Sequence, residues 1–152
     1  MDIPEVNPAF IIELMQVVNT SPFPSHMRMR LASIAFDQAN ILLDTDTCHL
    51  QPYGIVHGGV LATLVDTATF WAAFLRLPET EGLVNIDLKL NYLHPVVSGP
   101  LRADGRCIRA GRSISYAEAH IKDADGHLVV HGTSTLKTLT GKGLVLKSPK
   151  FL

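Results

Sequence analysis

The stretch GGVLATLVDTATFWAAFL, residues 58–75, decides the fold. After its two glycines it is apolar almost all the way round a helix, interrupted only by Thr63, Asp66, Thr67 and Thr69, and the pattern ends before Pro78. A surface helix carries one apolar stripe, so a helix of this kind must be buried by something that wraps it. The wrapping is supplied downstream. Val84, Ile86, Leu88, Leu90 and Tyr92 alternate with Asn85, Asp87, Lys89 and Asn91, the period of a half-buried strand. A turn over 95–100 leads to a strand over 101–109. Ala110-Gly111-Arg112 then turns into a strand over 113–122, and Asp125-Gly126 is a hairpin signal before a strand over 128–138. The short connections predict that these four strands form a meander.

Upstream of the helix, Asn7-Pro8 supplies a cap and a first helical residue for a helix of about 8–18, with Phe10, Leu14 and Val17 at helical spacing. Residues 19–24 break that pattern. Residues 28–46 read as two strands around a turn near Asp37-Gln38, and residues 47–57, with Pro52 and Gly54, as a loop. Residues 141–152 are basic and poorly patterned, and a loosely held tail is expected there. The order α-β-β-α-β-β-β-β in a single domain of residues 1–152 predicts an α+β fold: a long antiparallel sheet curled around one buried helix.

Composition narrows the function. With 47% hydrophobic and 18% charged residues the chain is globular. A net charge of −1 offers no footprint for nucleic acid or an anionic membrane. No apolar run reaches the ~20 residues that span a bilayer, and residues 1–10 lack the pattern of a signal peptide. Cys48 and Cys107 have no motif spacing and read as free thiols, so a cytoplasmic protein is expected. No G-x-S-x-G elbow is present, and GKGLVLKS, residues 141–148, fails the P-loop spacing. His127 and His131 share a strand face with His120 near by, but no cysteine or carboxylate completes a metal set, so neither metal nor cofactor is expected.

Asp66 is the only charge on the apolar helix. It must be hydrogen-bonded, shifted in pKa or facing a cleft. At the helix entry, His57-Gly58-Gly59 presents first-turn N–H groups with little side chain to obstruct approach, which suits an oxyanion. Gly58 and Asp66 are eight residues apart, ~12 Å along a helix axis. A polarised carbonyl and its attacking group must come within ~3–3.5 Å, so one chain cannot place both at one reaction centre. If both act, the site is shared across a two-fold axis and the protein is at least a homodimer.

GIVHGGVLATLVDTA (residues 54–68) and VNIDLKLNYLHP (residues 84–95) resemble hotdog-fold acyl-CoA thioesterases, particularly the branch with the phenylacetate-pathway and 4-hydroxybenzoyl-CoA enzymes. The resemblance runs from about residue 28 to 139. It implies that Gly58 polarises the thioester carbonyl through its N–H, that Gln51 contacts the same carbonyl, and that Asp66 is general base or nucleophile. It further implies that Asn85 stands where other members hold the attacking water with Ser or Thr, and that His57 orients the loop. Gly59 and Tyr92 would touch substrate, and the turn residues Arg109, Gly111, Arg112 and Ser113 would bind the CoA phosphates. The acyl chain would rest near Thr69, Phe70 and Phe74. The implied assembly is a homodimer, paired again into a homotetramer. Two alternatives stand beside hydrolysis: a hotdog hydratase or dehydratase, and a non-catalytic acyl-CoA-binding module.

Overall fold

The computed structural model describes residues 4–152. Helix α1 (Pro8–Thr20) begins as expected, with the Asn7 side chain accepting the Ala9 N–H at 3.0 Å. Its buried face is Phe10, Leu14 and Val18, one residue on from the expected Val17. A short helix α2 (Pro22–Met27) follows where only a break was expected, and the αL residue Arg28 ends it. Strands β1 (Met29–Ala35) and β2 (Gln38–Asp44) flank a turn in which Asp37 adopts φ 63°. The segment read as a loop contains a 3₁₀ turn, Thr47–His49. Then come α3 (Gly58–Phe74), β3 (Gly82–Tyr92), β4 (Pro100–Ala110), β5 (Ile114–Lys122) and β6 (Leu128–Leu139).

All pairings are antiparallel in one six-stranded sheet ordered β1-β2-β4-β5-β6-β3. The sheet curls around α3, as the hotdog resemblance implies. The four-strand meander is corrected: β4, β5 and β6 form one, but β3 lies beyond β6 at the sheet edge. The chain after β3 therefore returns across the sheet to lay β4 beside β2. α3 drives the arrangement by burying Leu64, Val65, Ala68, Thr69 and Ala72 completely against the strands. At the closest approach Gly105 of β4 lies against the Ala68 backbone, where a β-carbon would overlap the Ala68 carbonyl. Among the described residues no helix is long and apolar enough to cross a membrane.

The alternation in β3 does not mean what its period suggests. A bulge interrupts the pairing with β6 between Asn85 and Asp87. An extra residue reverses which parity faces the core. Leu83 and Asn85 therefore point inward before the bulge, and Leu88 and Leu90 pack against the core after it, while Val84 and Ile86 stay exposed.

The C-terminal segment is held firmly, contrary to expectation. Glu13 accepts the N–H groups of Lys147 and Ser148, and Phe151 bridges to Val6. Lys150 is buried, its ammonium donating to the carbonyls of Phe74 (2.9 Å) and Leu77 (2.6 Å). Cations favour such a site, because the last helical carbonyls are unpaired and carry the negative end of the dipole. Burial lowers the Lys150 pKa to about 8, against the opposing pull of Glu79.

Lys150→Ala leaves these carbonyls without their donor and is expected to remove roughly 2–4 kcal/mol of stability in urea denaturation at pH 7. Because the folded pKa is about 8 against an ordinary 10.5, the unfolded chain binds the extra proton between those values. Wild-type stability should therefore gain with pH across that window, and the variant should lack that gain.

Candidate active site

Two short ladders of backbone hydrogen bonds build the entry to α3. His57 N donates to His49 O at 2.8 Å, Leu50 bridges to Val56, and Gln51 N donates to Ile55 O at 2.8 Å. The loop folds back on itself and delivers Gln51 beside the chain that enters the helix. Val56 N then donates to Val96 O at 2.7 Å, tying the loop to the segment after β3. His57 is the N-cap, and its Nδ1 accepts the Gly59 N–H at 2.8 Å. The Gly59 N–H is therefore already occupied.

The Gly58 N–H has no acceptor among the described residues. It stands at the positive end of a 17-residue helix, where an oxyanion is favoured. Tyr92 covers the same glycine from β3, donating its hydroxyl to Gly58 O at 3.1 Å. A β-carbon on Gly58 would sit 3.3 Å from the Tyr92 ring, so a bare residue is what permits this closeness. The Gln51 Oε1 accepts the Tyr53 N–H at 2.6 Å, and its amide nitrogen meets no acceptor among the described residues. Gln51, His57, Gly58, Gly59 and Tyr92 thus gather at one end of α3.

Asp66 lies two turns along α3 on a face the sheet leaves partly open, in line with Ala62, Thr63, Phe70 and Trp71. Its carboxylate meets no hydrogen-bond donor among the described residues, and burial raises its pKa above the ordinary Asp value. It borders a cavity of about 310 Å³ lined by Val17, Phe23, Met29, Phe70 and Trp71 among others. α2 supplies Phe23 to this wall, and the sequence reading missed that helix. Its signal was present in Ser21-Pro22, a capping residue followed by proline at the first helical position.

Asn85 reaches the back of the helix at the same level. Its Nδ2 donates to Ser134 Oγ (2.9 Å), to Asp66 O (3.3 Å) and to Thr69 Oγ1 (3.3 Å). The side chain thus grips the backbone that carries Asp66, and its donors face the core rather than the Asp66 carboxylate. Of the residues expected near an acyl chain, Thr69 and Phe74 are core and Phe70 alone borders the cavity.

The β4–β5 turn stands elsewhere. Gly111 N closes it on Ile114 O at 3.0 Å, and Ser113 O accepts the Thr138 N–H at 2.9 Å. Arg112 and Ser113 share a groove with Arg76 and Leu77, beyond the C-terminus of α3. Arg109 lines an adjoining groove with Gly111 and Tyr116. A 17-residue helix is ~25 Å long, so within one chain this turn is about a helix length from Gly58.

Comparison with known proteins agrees with this architecture. The family model described as the thioesterase superfamily matches residues 53–130. A Haemophilus influenzae protein with an esterase name is 28% identical over 130 residues, 86% of this chain and 94% of that protein. A proofreading thioesterase of Klebsiella pneumoniae is 33% identical over 76 residues, 50% of this chain and 56% of that protein. The crystal structure of a Haemophilus influenzae thioesterase superposes with TM-score 0.82 at 26% identity, covering 92% of this chain and 97% of that one.

The desolvated carboxylate predicts that Asp66→Asn raises the urea midpoint at pH 7. A raised folded pKa means the native state binds more protons than the unfolded one just above the ordinary Asp range. Asp66 therefore costs stability at neutral pH, and the difference between variant and wild type should fade as pH falls through that range. An equal or lower midpoint for the variant at pH 7 would mean that Asp66 is a satisfied structural acid.

Proposed function

The chain belongs to the thioesterase superfamily and is a thioester hydrolase, and from that premise we propose that it cleaves acyl-CoA to free acid and CoA at a site shared by two chains. One observation carries the reading: a Gly58 N–H and an Asp66 carboxylate, each without a partner among the described residues, lie on one helix, ~12 Å apart along its axis. Each is a half-site, and an antiparallel second copy completes both.

Several features support the two-fold partner. β3 is an 11-residue edge strand with Val84 (39%) and Ile86 (54%) exposed, an edge that an isolated protein would have to protect. Antiparallel pairing along this edge would bring the Tyr92 end of one β3 towards the Gly82 end of the other. That carries the second copy's β4–β5 turn towards the first copy's Gly58. Arg109, Gly111, Arg112 and Ser113 would then meet the CoA phosphates. Two such dimers form the homotetramer implied by the family, and the two free thiols suit the cytoplasm.

In this site the Gly58 N–H and Gln51 Nε2 donate to the thioester carbonyl oxygen. Asp66 of the second copy removes a proton from water as the water oxygen bonds to the carbonyl carbon, or attacks that carbon itself. The tetrahedral intermediate collapses with rupture of the C–S bond, and the CoA thiolate leaves and takes up a proton; on the nucleophilic route water then cleaves the acyl–Asp66 anhydride, releasing the acid and restoring the carboxylate. Donors of the Gly58 kind are worth about 3–4 kcal/mol to the transition state. A positioned carboxylate base contributes roughly 10²–10⁴-fold. Asn85 acts through the backbone of Asp66 as a positioning residue, and Tyr92 does the same for Gly58. The cavity beside Asp66 receives the acyl group, and its Phe23, Phe70 and Trp71 walls suit an aromatic or medium-length chain. Gln51 supports a place in the phenylacetate-pathway and 4-hydroxybenzoyl-CoA branch. A hydratase would call for a histidine base, and His57 instead caps α3.

Thiol release from a panel of acyl-CoAs should show wild-type turnover and a fall of about 10²-fold or more for Asp66→Asn. Gln51→Ala should be impaired as well. Mixing the two variants under conditions that exchange subunits should restore about a quarter of wild-type activity, since half the dimers are mixed and each has one intact site. Recovery no greater than the average of the parents would exclude the shared site, and an inert wild type would exclude acyl-CoA as substrate.

A further inference from the structure

The face of the sheet turned away from α3 carries a second constellation, on β5 and β6. Ala117, Ala119 and Ile121 of β5 and Val130 of β6 are fully buried on the helix side. Alternation therefore sends Glu118, His120 and His131 to the outer face. His120 lies directly opposite His131 across the β5–β6 ladder, and Glu118 is two residues along on the same face. Directly opposed side chains start ~4.5–5.5 Å apart at their β-carbons, and a diagonal neighbour is within reach of a long side chain.

The outcome is a compact set of donors. His131 Nε2 lies 3.1 Å from Glu118 Oε2, and the His120 and His131 rings are 4.6 Å apart between centroids. One donor atom from each of the three residues lies within 4.8 Å of the other two. All three side chains are half-buried, and among the described residues His120 makes no hydrogen bond of its own. The charged neighbours on β4 leave the set free. Asp104, opposite His120, is engaged by Arg102 Nε at 2.7 Å and by Asn40, and Arg106, opposite Glu118, forms no ion pair with it among the described residues.

We propose that Glu118, His120 and His131 form a binding site for a zinc-class divalent transition-metal ion on the outer face of the sheet, separate from the thioesterase site. Two imidazoles and one carboxylate are a borderline-soft ligand set that selects such ions over calcium or magnesium. In tetrahedral zinc geometry, with Zn–N of ~2.0–2.1 Å, neighbouring donors are roughly 3.3 Å apart. The widest pair therefore has to close by no more than about 1.5 Å, within the reach of side-chain rotation on a fixed backbone. That backbone is firm, because β5 and β6 are interior strands paired on both sides. Three protein ligands leave a fourth position for water or an anion. The sequence offered His120, His127 and His131 without a carboxylate. The register supplies Glu118 and removes His127, which sits instead in the β5–β6 turn with its Nδ1 2.9 Å from Asp123 Oδ2.

Asp123 also holds that turn through the Asp125 and His127 N–H groups, so the turn cluster of His94, Asp123 and His127 serves as an internal control. The test is isothermal titration of the full untagged chain with zinc chloride alone. Expected are one zinc ion per chain and an affinity that falls about tenfold or more in each of His120→Gln, His131→Gln and Glu118→Gln. His127→Gln should bind as wild type, and all four variants should unfold at the wild-type temperature in the presence of chelator. Absence of binding at one equivalent, or binding lost in His127→Gln but kept in His120→Gln, would overturn the proposal. Acyl-CoA turnover by His120→Gln should equal that of the wild type, so this site can fail without touching the thioesterase reading.

Discussion

The contact between α3 and the concave face of the sheet governs the rest of the molecule. A helix whose Leu64, Val65, Ala68, Thr69 and Ala72 are all excluded from water has no stable place on a surface, so the strands must curve to follow it. The closeness of that contact sets local chemistry in turn. Gly105 is bare because the Ala68 backbone fills the space a side chain would need. Asn85, Ser134 and Thr69 are polar groups inside this contact, and each is satisfied by another or by a helix carbonyl. Buried polar atoms paired in this way fix the rotation of the helix about its own axis more sharply than apolar packing alone.

That fixed rotation decides which face of the helix stays open. The stripe through Ala62, Thr63, Asp66, Thr67, Phe70 and Trp71 is the part of α3 that the sheet does not cover. Asp66 meets its cavity there with no donor among the described residues to stabilise its charge, a stability cost that packing elsewhere has to offset. The free N–H of Gly58 at the helix entry is the complementary deficit. In the proposed reading a second copy completes both, because an acid and a donor this far apart on one helix cannot meet within one chain. The exposed β3 edge and the remote β4–β5 turn fit that proposed pairing.

Much of this was legible from residue order because it depends on local patterning. Asn7-Pro8 announced α1, the all-round apolarity of 60–75 announced a wrapped helix, and the lone acid on it announced a residue that borders a cavity. Other elements resisted for identifiable reasons. α2 is only six residues long, too short for a periodic pattern, and its Ser21-Pro22 start resembles a simple break. The β3 alternation was correct as a strand signal and misleading as to face, because one bulged residue at Ile86 reverses parity without altering the period on either side. The C-terminal segment lacked any pattern because single contacts hold it, an acid capturing two N–H groups and a lysine capturing two carbonyls across more than seventy residues of chain.

Residue order by itself determined the types of the long elements, the burial of α3 and the candidate residues Gly58 and Asp66, since each follows from interactions within a few residues along the chain. Only the tertiary structure decided that β3 crosses to lie beside β6, that Asn85 grips the Asp66 backbone rather than facing its carboxylate, and that the β4–β5 turn is a helix length from Gly58. It also decided that Glu118 joins His120 and His131. The physical reason is the same in every case. Strand order and register are set by which faces bury together once the whole chain has closed around α3, and that is a property of long-range packing that no short window of sequence contains.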